Sequence, residues 1–204
     1  MLHYETIDPQ TLGLLKDLQK VPAFHELRLV GGTALALQYG HRKSIDLDLF
    51  GSVKVDDIEI SNHLNSIGNV VQLKRGDNIN IYVINGIKVD IVNYPYKWLS
   101  SPLIVDNIKL AQPQDIGAMK MSAITGRGTK KDFYDLFFLL QNFSINQLLD
   151  LYKEKYPDGS IFLVYKSLSF FEDAENDLDP VMLNPIKWNE VKKFISSILK
   201  NFKV

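Results

Sequence analysis

Between Leu29 and Phe50 the hydrophobic period of the chain changes twice, and the changes are marked by a glycine pair and by two aspartates. Leu29-Val30 runs into Gly31-Gly32-Thr33, a helix-like stretch reaches Tyr39, and Gly40 stops it. His41-Arg42-Lys43-Ser44 then leads into Ile45-Asp46-Leu47-Asp48-Leu49-Phe50. Those last six residues alternate, apolar at 45, 47 and 49 and acidic at 46 and 48. That pattern predicts a half-buried strand with both carboxylates on its other face. A strand ending at Gly31-Gly32, a short helix and a second strand must therefore lie together.

The surrounding chain extends this unit. Asp8 to Gln19 reads as a helix, with Asp8 as its cap and Pro9 in its first turn. Phe24 to Val30 reads as a strand and Asp56 to Ile67 as a helix. Val70 to Lys74, Asn78 to Ile84 and Ile87 to Asn93 read as strands, the last two joined at Asn85-Gly86, a strong hairpin signal. From about Gln112 the pattern is helical: 113–125, 131–142, 145–155, 161–171 and 184–202, with an acidic loop at 172–179. The expected class is α+β, a small mixed sheet with helices over residues 1–110 followed by a mostly helical domain over 111–204.

The chemistry follows from the spacing. Residues i and i+2 of a strand point the same way, so Asp46 and Asp48 offer paired carboxylate oxygens. Mg²⁺ prefers a few carboxylates plus substrate phosphates to a closed protein cage. Asp90, flanked by Val89 and Ile91, projects from the polar face of its strand and is the candidate third metal ligand. Gly31 and Gly32 let backbone N–H groups approach a phosphate at a helix N-terminus, and Thr33 adds a hydroxyl. Arg42 and Ser44 precede the carboxylates as candidates to steady the loop or touch phosphates. A lone glycine pair is an ordinary turn, and a lone Asp-x-Asp a solvated strand face. Their combination points to an NTP and a divalent metal held side by side, hence to nucleotidyl transfer. The alternatives are a phosphotransferase on the same scaffold and a catalytically silent nucleotide- or partner-binding module.

Composition removes other classes. The 204 residues contain no cysteine, which excludes disulfides, thiolate zinc sites and cysteine nucleophiles and fits the cytoplasm. A net charge of −1 gives no global attraction to nucleic acid. Any nucleic-acid acceptor would need a local patch, for which Lys74-Arg75, Lys120, Arg127, Lys130 and Lys131 are the candidates. Met1–Glu5 lacks the start of a signal peptide, and no apolar run approaches a membrane span, so no membrane partner is expected.

A second cluster runs from Lys120 to Leu136. Asp132 and Asp135 share a helix face, Lys131 is spaced to pair with Asp135, and Gly126-Arg127-Gly128-Thr129-Lys130 is a basic loop suited to phosphate. On composition alone it reads as a helix cap with surface ion pairs worth at most ~1 kcal/mol each. Taken together, Gly31-Gly32-Thr33-Ala34-Leu35, His41-Arg42-x-Ser44-x-Asp46-Leu47-Asp48-Leu49-Phe50 and Lys131-Asp132-x-x-Asp135-Leu136 resemble the AbiEii-type (DUF1814) nucleotidyltransferases of the polymerase-β-like superfamily. The resemblance covers roughly residues 25–140. It implies a minimal nucleotidyltransferase core, a helical C-terminal domain and Mg²⁺-dependent use of an NTP. By it, Gly32 and Thr33 fall on the phosphate-binding motif and Asp46 and Asp48 on the metal pair. Lys120 falls on a lysine placed to meet phosphates. Lys131, Asp132 and Asp135 fall on a later motif in which an acidic residue orients or deprotonates the acceptor. Many members are toxins, and similar enzymes modify the acceptor end of tRNA, so tRNA and a cognate antitoxin join the candidate partners. The family glycine motif is often Gly-Ser where this chain has Gly-Gly-Thr, and no motif can be placed after about residue 145.

Overall fold

A computed structural model describes residues 1–54 and 56–200. The chain divides into two compact units. A sheet unit comprises 1–38, 44–95 and 102–111, and a helical unit comprises 39–43, 96–101 and the chain from 112 onward.

The sheet unit begins with α1 (Pro9–Lys20). The Asp8 carboxylate accepts from the Thr11 N–H at 2.9 Å, as the cap signal predicts, and Leu14, Leu15 and Leu18 are buried. Then come β1 (Arg28–Leu29), α2 (Gly31–Tyr39), β2 (Leu47–Gly51) and α3 (Asp57–Ile67), followed by β3 (Val70–Lys74), β4 (Ile79–Ile84) and β5 (Ile87–Asn93). A hairpin of β6 (Leu103–Val105) and β7 (Ile108–Leu110) completes a seven-stranded sheet in the order β3-β4-β5-β2-β1-β7-β6. The pairs β2/β5 and β1/β7 are parallel, and the other neighbours are antiparallel. One face carries the core residues Leu47, Leu49, Tyr82, Ile84, Val89 and Ile91. Asn85 and Gly86 both adopt positive φ (52° and 85°), which closes the expected hairpin with a twist that suits its strands.

Two strands are shorter than their sequences suggest. Only Arg28–Leu29 of the 24–30 segment joins the ladder, because Pro22–Phe24 closes a 3₁₀ turn. The ladder of the carboxylate strand begins at Leu47, and Ile45 is 68% exposed rather than on the core face. The reason lies just upstream, where the Ser44 N–H bonds to the Thr6 carbonyl at 2.9 Å and holds the chain out of the sheet. The β6–β7 hairpin has no counterpart in the sequence reading.

The helical unit contains α4 (Pro113–Gly126), α5 (Lys130–Leu139), α6 (Ile145–Lys155), α7 (Ile161–Leu168), α8 (Glu172–Glu175) and α9 (Trp188–Lys200). Helix α4 is central and packs on α5, α6 and α7, while α9 packs on α5 and α7. Ser144 and Gln147 form a full capping box at the start of α6. A short helix, α8, replaces the front of the expected acidic loop. The last helix starts four residues later than expected, and its expected end at 201–202 lies outside the described residues. Residues 39–43 are sewn into this unit: the Lys43 N–H donates to the Val181 carbonyl at 2.8 Å and the Leu183 N–H to the His41 carbonyl at 2.9 Å. Among the described residues no helix is long and apolar enough to cross a membrane.

Candidate active site

In the sheet unit the glycine turn and the carboxylate strand are tied together at the backbone. The Val30 N–H donates to the Asp48 carbonyl at 2.9 Å. Gly31 follows with φ +67°, a conformation that a side chain disfavours. A Cβ at this position would also meet the Asp48 carboxylate. Glycine is therefore required here twice, by the backbone and by the nearness of Asp48. Helix α2 starts at this residue, and the Ala34 N–H makes the first helical bond, to the Val30 carbonyl at 3.3 Å. The N–H groups of Gly31, Gly32 and Thr33 thus stand at the open N-terminal end of α2, where an anion is favoured.

Thr33 is buried, and its hydroxyl donates to the Asp46 carbonyl. With that proton spent, the Ser44 hydroxyl must be the donor in the 2.8 Å contact with the Thr33 oxygen. Thr33 and Ser44 therefore brace the backbone of the first carboxylate residue. Asp46 precedes β2, and Asp48 lies on it in direct register with Asp90 of the parallel strand β5. All three aspartates are half-buried. The Lys88 ammonium, two residues before Asp90 on the same strand face, donates to the Asp90 carboxylate at 2.5 Å. Among the described residues no three acidic or histidine side chains converge enough to hold a metal ion unaided. The donor set nevertheless fits Mg²⁺: carboxylates on adjacent backbone, open to solvent, leave coordination positions for phosphate oxygens and water.

The second cluster lies within the helical unit and is buried, contrary to the surface ion pairs that composition suggests. Asp132 and Asp135 on α5 have no exposed surface. Lys120 of α4 bridges them, 2.9 Å from Asp132 and 2.5 Å from Asp135. Asp135 also receives a bidentate pair from Arg42 (2.7 and 2.9 Å) and the Nε2–H of His41 (2.8 Å). Asp132 is gripped by Arg127 at 2.9 Å and by the Thr129 hydroxyl at 2.5 Å. Burial alone would raise both carboxyl pKa values; Lys120 beside both, with Arg42 on one and Arg127 on the other, pulls them well below the ordinary range. Burial also lowers the pKa of His41. The ring is therefore neutral, with Nε2 as donor and a buried Nδ1 that finds no partner among the described residues.

Arg42, a sequence candidate for phosphate, is thus seated on Asp135. Lys131, spaced to pair with Asp135, is exposed instead. Lys130 turns inward to the 175–179 segment, with its ammonium 2.6 Å from the Asp177 carbonyl. Lys88 escaped the sequence reading although it lies two residues from Asp90 on one strand face, while His41 and Thr129 stood within the motifs without a role of their own. A second buried pair, Asp115 with Lys155 at 2.7 Å, anchors the 96–101 segment, since Asp115 also accepts from the Leu99 and Ser100 N–H groups.

A family profile described as "Nucleotidyl transferase AbiEii toxin, Type IV TA system" matches residues 13–201. An uncharacterised protein of Aquifex aeolicus is 35% identical over 188 residues, 87% of this chain and 88% of its own length. Two solved structures share the fold. JHP933 from Helicobacter pylori has a TM-score of 0.59 at 20% identity, covering 95% of this chain and 92% of its own. MenT4, a nucleotidyltransferase toxin from Mycobacterium tuberculosis, has a TM-score of 0.58 at 17% identity, covering 93% and 81%.

Proposed function

The chain belongs to the AbiEii family of nucleotidyltransferases and is itself a nucleotidyltransferase; from that premise we propose that it transfers an NMP unit from an NTP to an acceptor hydroxyl, with Mg²⁺ held by Asp46 and Asp48 and Asp90 as third ligand. The observation that carries this reading is the contact of a glycine-only turn with one member of a carboxylate pair, Asp48, whose strand neighbour is Asp90. The ion would neutralise triphosphate charge and draw electron density from the α-phosphate.

The remaining work falls to the chain. The N–H groups at Gly31 and Gly32 take the β- and γ-phosphates. The Thr33 and Ser44 hydroxyls brace the Asp46 backbone, and the Thr33 N–H stands beside those of the glycines. The acceptor oxygen attacks the α-phosphorus in line, the bond to the bridging oxygen breaks, and pyrophosphate leaves. Of the candidates in the helical unit, exposed Lys131 is assigned to neutralising substrate charge, while Lys120 is buried between Asp132 and Asp135. Asp132 and Asp135 are assigned to positioning Lys120 and Arg42, because carboxylates held so far down are weak bases at neutral pH. A nucleic-acid acceptor such as tRNA, a toxin role with a cognate antitoxin and a cytoplasmic location complete the proposal, and all three rest on the family.

The test incubates the protein with α- or γ-labelled NTP and total cellular RNA. Transfer of the α label is expected, and Asp48→Asn should reduce it at least about a thousandfold while the protein stays folded. Movement of the γ label alone would make the protein a phosphotransferase. Growth arrest on expression, relieved by the same substitution, would support the toxin role.

A further inference from the structure

Lys88 and Asp90 lie two residues apart on β5 and so on one face of the strand. Asp48 stands beside Asp90 across the parallel β2/β5 pair. The Lys88 ammonium lies 2.5 Å from Asp90, and the two side chains are 41% and 19% exposed. The ammonium is therefore a positive charge already placed on the candidate third ligand, and the carboxylates do not converge as a ready three-ligand set. With 41% of the Lys88 side chain open to water, this hydrogen-bonded ion pair is screened and contributes little stability, so the lysine can be displaced. A divalent cation and an ammonium cannot share one carboxylate without mutual repulsion.

We propose that Lys88 is a built-in competitor for the divalent cation at Asp90, a positioning residue that holds the third carboxylate along its own strand until substrate and metal displace it. The inference rests on the metal reading of Asp46, Asp48 and Asp90. At rest Asp90 is then held by Lys88, and it joins the cation as Lys88 withdraws. Lys88 thereby sets how tightly, and through how many carboxylates, the protein binds the ion before nucleotide arrives.

The experiment is calorimetric titration of the full chain with Mn²⁺ and no nucleotide, for the wild type, Lys88→Met, Lys88→Arg, Asp48→Asn and the double variant Lys88→Met/Asp90→Asn. Thermal melts confirm that each is folded; Lys88 is half-buried and outside the apolar core. Lys88→Met should bind Mn²⁺ about tenfold more tightly than the wild type, or take up an additional ion. Lys88→Arg should match the wild type, and the double variant should lose the gain. Equal affinity and stoichiometry in Lys88→Met and the wild type, with binding lost in Asp48→Asn, overturns the role of Lys88 and leaves the metal reading intact. No Mn²⁺ binding by either the wild type or Lys88→Met overturns the role of Lys88 as a competitor for the ion at rest.

Discussion

Asp48 and Asp90 in the sheet unit and Asp132 and Asp135 in the helical unit are the same residue type in equally motif-like contexts, yet their surroundings are opposite. The first pair is half-buried on a strand face, and Lys88, which pairs with Asp90, has a side chain 41% exposed. The second pair has no exposed surface, and His41, Arg42, Lys120, Arg127 and Thr129 meet its oxygens. A carboxylate that must accept a metal and give up neighbours during turnover needs solvent and weak partners. A carboxylate that fixes helices needs permanent ones. Spacing in the sequence cannot separate the two kinds, and burial does.

The sharpest way to break this contrast is to remove Asp135. Asp135→Ala leaves Arg42 and Lys120 buried without their shared anion and should cost about 3–5 kcal/mol in urea unfolding, whereas Asp48→Ala should cost no more than about 1 kcal/mol. Equal losses would erase the distinction. A smaller effect is expected at Gly31. Gly31→Ala forces a Cβ toward the Asp48 carboxylate at φ +67°, so transfer should fall about tenfold or more and stability by about 1–2 kcal/mol. Full activity would separate the glycine turn from the carboxylates.

The smallest effect is in pH. The folded pKa of His41 is depressed. Below about pH 6.5 the unfolded chain takes up a proton that the folded chain refuses, and stability falls with pH by at most about 1.4 kcal/mol per unit. His41→Gln should flatten that slope between pH 6.5 and 5. Asp132 and Asp135 do not blur this window: their depressed values make their contribution complete above about pH 4, and it is lost only as acid approaches the folded values. An unchanged slope in His41→Gln would remove His41 from the network.

The elements legible in the sequence are those with local chemistry. The Asp8 cap, the Asn85-Gly86 turn and the span of β5 are found as expected. The β6–β7 hairpin is not, because Asp106 and Asn107 adopt positive φ without a glycine and join strands of only three residues. Ile45 misleads because alternation continues past the point where the Ser44–Thr6 bond ends the ladder. At the proposed site, the placement of Gly31, Asp48 and Asp90 is legible from turn chemistry and strand period. The destination of Arg42 is not, since its partner is 93 residues away and nothing near either residue encodes the pairing.

That separation bears on how the protein comes into being on the ribosome. The five residues 39–43 leave the exit tunnel with the sheet unit's chain, but the anion that seats His41 and Arg42 is Asp135, which is translated long afterwards. The strand order adds a second delay, because β7, the parallel neighbour of β1, arrives only after residue 107. An N-terminal fragment ending at the helical unit would therefore carry an arginine and a histidine evolved for burial with no acid to receive them. Seating of residues 39–43 is thus postponed to the translation of α5, and the helical unit closes from its later helices back onto the loop that precedes Asp46.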